Sequence, residues 1–153
     1  MGYVYTGSDK FQANWKTPTD VKQWIESELL TGKTLNLCCG DSHIGDVRAD
    51  IDPERDPDVV CDIHDLPFQE QSFDTVYVDP PFKFYNFHNG MWTKDVWDLC
   101  RERLVLNTPA QWVKIADSNK SWYICEPKNG SSLRSVLQFQ VFDRASHGLS
   151  DFE

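Results

Sequence analysis

The sequence predicts an α/β fold: a mostly parallel open sheet with helices on both faces and a first crossover helix that is short or absent. Three observations carry that expectation. Four short apolar runs, TLNLCC, VRADID, DVVCDI and SFDTVYVD, follow one another, each ending in an acidic residue or a turn. Runs of that kind read as strands buried on both faces, with ligands held at their carboxyl ends. Helix-like segments flank them at 19–31 and 93–105. Finally, Gly40 lies so close to Val47 that no ordinary crossover helix fits between the first two strands, because parallel neighbours usually need a dozen or more connecting residues.

The elements follow in chain order. Val21, Trp24, Ile25, Leu29 and Leu30 recur at helical spacing, with Thr17 or Thr19 available as a cap and Gly32 as the stop. TLNLCC is the first strand, VRADID the second, ended by Pro53, and DVVCDI the third. SFDTVYVD is the fourth, closed by Pro80-Pro81. TKDVWDLCRERLV reads as a helix, SWYICEP as a fifth strand, and SVLQFQVFD as a sixth with alternating apolar residues. A chain of 153 residues fits one domain over 1–153 with one core.

Composition narrows the class. At 40% apolar and 13% aromatic the chain is globular rather than disordered. No apolar run approaches the roughly 20 residues of a membrane helix, and MGYVYTGSDK lacks the basic start and apolar stretch of a secretory signal. The expectation is a cytoplasmic protein (host cytoplasm for a viral one) without a membrane partner. Five cysteines show no CxxC spacing and the four histidines are scattered, so no metal site is expected. Cys38, Cys61 and Cys125 read as buried, inert thiols.

The net charge of −9 is unevenly spread: Asp41 to Asp79 holds twelve acids and two bases, Arg48 and Arg55, while the remainder is close to neutral. An acidic half beside a neutral half is compatible with a polyanion docking on the neutral side, and equally with a solvated acidic face.

The segment richest in chemistry is DTVYVDPPFKFY. An exocyclic amine is a poor nucleophile because its lone pair is delocalised into the ring. A carboxylate and a backbone carbonyl can accept its two hydrogens and help the nitrogen become tetrahedral. Consecutive prolines fix that carbonyl's direction by locking φ, and a following aromatic offers a face for a planar base. On this reading Asp79 accepts from the amine, Pro80 supplies the carbonyl, Pro81 stiffens the turn, and Phe82 stacks. Without context, the same residues merely terminate a strand.

Context comes from a resemblance. Asp79-Pro80-Pro81-Phe82 resembles the fourth motif of class I S-adenosylmethionine-dependent amino-methyltransferases, and it follows the fourth predicted strand, as there. TLNLCCGDS resembles their first motif, which implies that Asn36, Cys38, Gly40 and Asp41 lie beneath the cofactor's methionine part. Asp50, followed by Ile51, resembles the acid that bonds the ribose hydroxyls, and Asp62 and Ile63 the residues that meet the adenine. NWKTPTDVKQWIE resembles the Thr-Pro segment of the permuted group that includes many DNA adenine enzymes, implying a cofactor role for Thr17 and Pro18. Thr17-Pro18 also simply starts a helix well. The chain departs from the pattern at Cys38 and Ser42, where glycines are usual, and at Asn36, where an acid is usual.

The resemblance covers residues 14–86 and implies a Rossmann-like methyltransferase fold with S-adenosyl-L-methionine as cofactor. The partner it implies is a nucleic acid, with DNA adenine N6 favoured by the Thr-Pro segment and small phage-type enzymes as the nearest likeness. RNA, at guanine N2 or adenine N6, is the alternative, and a non-catalytic methyltransferase-like subunit is the rival from another class. Lys83 would meet a phosphate and Phe84 or Tyr85 support an unstacked base, unless those rings tuck under their own loop. With no room for a target-recognition domain, specificity would come from loops, a homodimer or a partner subunit.

Overall fold

The computed structural model describes residues 2–6, 19–80, 91–108, 115, 118–127 and 137–145. They form an α/β structure around one eight-stranded mixed sheet. The elements are β1 (Gly2–Thr6), α1 (Thr19–Trp24), β2 (Thr34–Leu37), β3 (Val47–Asp50), β4 (Val59–Val60), β5 (Phe73–Val78), α2 (Met91–Asp98), β6 (Cys100–Asn107), β7 (Ser118–Pro127) and β8 (Leu137–Arg144). The strands lie in the order β1-β7-β8-β6-β5-β2-β3-β4. All neighbours are parallel except β8, which is antiparallel to both β6 and β7.

Alternation along the central strands divides the core between two faces. On one face Val21, Ile25 and Leu29 pack against Tyr77, Val105, Phe139 and Val141. On the other, Trp92, Val96 and Trp97 of α2 pack against Val76, Val78, Leu104, Leu106 and Phe142. Helices therefore cover both faces, as expected. The predicted helix over 19–31 is α1 followed by a single π turn, Ile25–Leu29, closed by the Leu30 N–H on the Ile25 carbonyl at 3.1 Å. Residues 38–46, between β2 and β3, contain no helix, which agrees with the shortened crossover.

Two expectations need correction. The segment 93–105 is not one helix: α2 ends at Asp98, a turn closes with Leu99 N–H on the Val96 carbonyl at 3.1 Å, and Cys100–Asn107 is strand β6. Val96, Cys100 and Leu104 imitate helical spacing, but tertiary partners decide the outcome. Arg101 and Arg103 reach the carboxylates of Asp74 and Asp143, at 2.8 and 2.6 Å, and Leu104–Leu106 are fully buried between β5 and β8. The N-terminal strand β1, paired with β7, was also unforeseen. The other strands stand where predicted with changed limits: SWYICEP extends back to Ser118, SVLQFQVFD becomes Leu137–Arg144, and DVVCDI keeps only Val59–Val60.

Gly32 marks the tight passage from the π turn into β2. Its φ is +61°, and a Cβ there would collide with the carboxyl of Asp74. That carboxyl accepts from the Lys33 N–H at 2.8 Å and from Arg101 Nε at 2.8 Å. Gly32→Ala is therefore expected to destabilise the fold by about 2–3 kcal/mol, from left-handed strain and a displaced hydrogen-bond pair. The urea midpoint measures it, and an unchanged midpoint would show that Asp74 moves aside freely.

Candidate active site

Strand order reverses between β2 and β5, which lie side by side while the chain continues outward in opposite directions from them. A reversal of this kind opens a crevice at the strands' carboxyl ends, where open α/β sheets bind ligands. Leu37 and Val78 are register partners there, and the Asp79 N–H reaches the Leu37 carbonyl at 3.4 Å. The loop from Cys38 to Ser42 and the start of the Asp-Pro-Pro-Phe segment thus leave adjacent strand ends.

The backbone of that loop is unusual. Cys38 has φ of 59° and Gly40 of 51°, both in the left-handed region that favours glycine. Cys38 occupies a glycine-like conformation without being glycine. Gly40 is gripped at both ends: its N–H donates to Asp50 Oδ2 at 2.8 Å, and its carbonyl accepts from Arg48 Nη2 at 2.9 Å. Asp50 closes β3, and its other oxygen accepts from the Asp52 N–H at 2.9 Å. An ionised carboxylate has about four acceptor sites, so room remains for further donors. Beside it, Ile51 is 64% exposed, leaving apolar surface available to a ligand ring.

Asp79 keeps exposed surface, yet protein crowds it on its other sides, and this desolvation pushes its carboxyl up to about 7. The exposure governs what can reach the group; the crowding governs its proton. Pro80, next to it, is buried. Burial raises the Cys38 thiol well above its ordinary range, and the carboxylates of Asp50 and Asp79 push it the same way. Cys38 therefore sits electrostatically between the two acids as a protonated thiol. Burial lifts the Cys39 thiol to about 11 against the opposing charge of Arg48, and it raises Cys61 as well. The inert reading of Cys38 and Cys61 agrees with this, although both are half-buried rather than fully enclosed.

Other sequence-predicted residues are placed less directly. Asn36 is fully buried and its amide donates to the Ser42 carbonyl at 3.3 Å, while its Oδ1 lacks a partner among the described residues. Asp41 is exposed and paired with Arg55 at 3.1 Å. Asp62, half-exposed, accepts from the His64 N–H and faces its ring Nδ1, both at 2.9 Å. Ile63, at 4% exposure, packs in the core with Leu35 and Leu37. Thr17, Pro18, Pro81, Phe82, Lys83, Phe84, Tyr85 and the side chain of Cys125 lie outside the described residues. Among the described residues no His, Cys, Asp and Glu cluster could hold a metal.

Sequence reasoning missed Arg48, which is 9% exposed and points into this region. Its signal was present: a lone base inside a short buried strand, VRAD, within a long acidic stretch. No family model matches the chain, and a search of curated proteins finds no match to it.

Proposed function

We propose that this protein is an S-adenosylmethionine-dependent N-methyltransferase acting on an exocyclic amine of a nucleic-acid base, with adenine N6 in DNA as the favoured acceptor. The observation that carries the reading is the adjacency of Asp79-Pro80 and the Cys38–Gly40 loop at the sheet's reversal. Counted from β2, strands β4-β3-β2-β5-β6 run 3-2-1-4-5, the order of doubly wound nucleotide-binding sheets. That supports a Rossmann-like methyltransferase fold in which the Asp-Pro-Pro-Phe segment follows the fourth strand.

The residues fit the cofactor on chemical grounds. Gly40 has a left-handed backbone that lets the chain approach a ligand. Asp50 has spare acceptor capacity for ribose hydroxyls, Ile51 offers apolar surface to the adenine, and Asp62 lies on the same side. Bound S-adenosylmethionine supplies an electrophilic methyl group. Asp79 and the Pro80 carbonyl accept the hydrogens of the acceptor amine, orient its nitrogen, and favour tetrahedral geometry. A carboxyl titrating near 7 is also basic enough to hold the proton the amine releases.

Charge restricts the approach of the acceptor. Asp50, Asp52, Glu54, Asp56, Asp58, Asp62 and Asp65 gather around β3 and β4, so a polyanion is repelled from that half and enters from the β5–β6 side. There the described cations Arg101, Arg103 and Arg144 sit at the opposite end of the strands, engaged with Asp74, Asp143 and backbone carbonyls. Phosphate neutralisation would then fall to segments such as the one bearing Lys83, or to a partner.

Calorimetry with S-adenosylmethionine is the first test: binding is expected, and a flat titration at millimolar cofactor would remove the enzyme reading. Tritiated-methyl transfer then compares DNA with RNA; transfer confined to RNA would overturn the DNA assignment.

A further inference from the structure

We infer that Arg48 is the positioning residue of the glycine loop, doing for residues 39–42 what the absent crossover helix would otherwise do. The inference rests on the reading of that loop as the cofactor site. A crossover helix fixes the turn that follows the first strand because its first residues are hydrogen-bonded and packed. Residues 38–46 contain no such helix, yet the loop is tied down by side chains.

Arg48 supplies two of those ties and links the loop to the turn after β3. Its Nε donates to the Ser42 carbonyl at 2.8 Å, Nη2 to the Gly40 carbonyl at 2.9 Å, and Nη1 to the Asp56 carbonyl at 3.0 Å. One guanidinium thereby joins the turn after β2 to the turn after β3. Its own backbone N–H is fixed by Asp58 Oδ2 at 2.9 Å, which holds the strand from which it projects. Asn36 reaches the same Ser42 carbonyl from β2 at 3.3 Å. Asp50 anchors the Gly40 N–H from the other side at 2.8 Å.

The residue type matters. Three carbonyls lie in different directions, and a planar guanidinium with five donors serves them together, whereas an ammonium on a flexible stem cannot. The network also accounts for Asn36 where the family pattern has an acid: its amide donates to a carbonyl, which an ionised carboxylate could not do. Arg48 contacts none of the groups assigned to the reaction itself, so its influence runs through Gly40.

Arg48→Lys and Arg48→Ala test this, read by hydrogen exchange without cofactor and by cofactor titration. Exchange at Gly40 and Ser42 is expected to rise by about tenfold in Arg48→Lys while β5 and β6 amides keep their protection. Affinity for S-adenosylmethionine should fall by about tenfold, with turnover at saturating cofactor within about threefold of wild type. Millimolar guanidinium chloride should restore affinity to Arg48→Ala, and ammonium chloride at the same concentration should not. Arg48→Lys keeps the measurement available if the alanine variant does not fold. Unchanged loop exchange and unchanged affinity in Arg48→Lys would overturn the inference. If wild-type protein binds no cofactor, the functional reading falls, and loop exchange alone decides whether Arg48 positions the loop.

Discussion

Asp79→Asn is expected to lower methyl transfer by about 10³-fold while leaving S-adenosylmethionine affinity within about threefold. An amide of the same size still accepts one hydrogen through its oxygen but cannot balance the charge that develops on the amine or hold its proton. On the proposed reading the working form is the carboxylate, and crowding raises its pKa to about 7. The rate should therefore fall about tenfold per unit as pH drops below about 7, and Asp79→Asn should erase that limb. The same shift carries a stability consequence of opposite sense. A carboxyl raised in the folded chain favours the protonated form, so the fold loses stability as pH rises from about 4 to about 7. Asp79→Asn should raise Tm by a few degrees at about pH 8 and leave it unchanged at about pH 4. A variant with wild-type turnover would remove Asp79 from its assigned role, and a Tm gain equal at both pH values would show that desolvation is not what shifts it.

What was legible in the sequence follows from how locally each feature is determined. β2, β3 and β5 could be read because each is a short apolar run ended by its own punctuation, and the site acids Asp50 and Asp79 stand at those ends. The left-handed turn at Cys38 is hidden, because nothing in its residue type favours a φ of 59°. Arg48 is visible as a lone base in a short buried strand, but its task is not, because its acceptors are backbone carbonyls, which leave no mark in a sequence. Ile63 stands three residues beyond the end of β4 at Val60, and its burial with Leu35 and Leu37 comes from packing between elements that the sequence does not display. The segment 93–105 reads as one helix by its spacing, because the partners that make 100–107 a strand are distant in sequence: Asp74 and Asp143 on other strands, Thr31 and the Leu29 carbonyl.

That misreading can be tested directly through Leu104 and Phe142. As strand residues they are register partners across the antiparallel β6–β8 pair, and both are completely buried in the same core cluster. Leu104→Ala is expected to cost about 2–5 kcal/mol and Phe142→Ala about 3–5 kcal/mol, since each leaves a cavity in a closely packed layer. Lys120, whose Nζ lies 5.4 Å from the Phe142 ring centroid, loses that face in the second variant. Directly opposed side chains share the cavity that either truncation opens, so the double variant should lose less than the two single losses combined, by about 0.5–3 kcal/mol. A helix spanning 93–105 would separate the two residues and make their effects additive. Chemical denaturation of the two single variants and the double variant decides between these geometries. The stake is functional as well, because β6 pairs with β5 along Thr75–Val78 and so supports the strand that delivers Asp79 to the crevice.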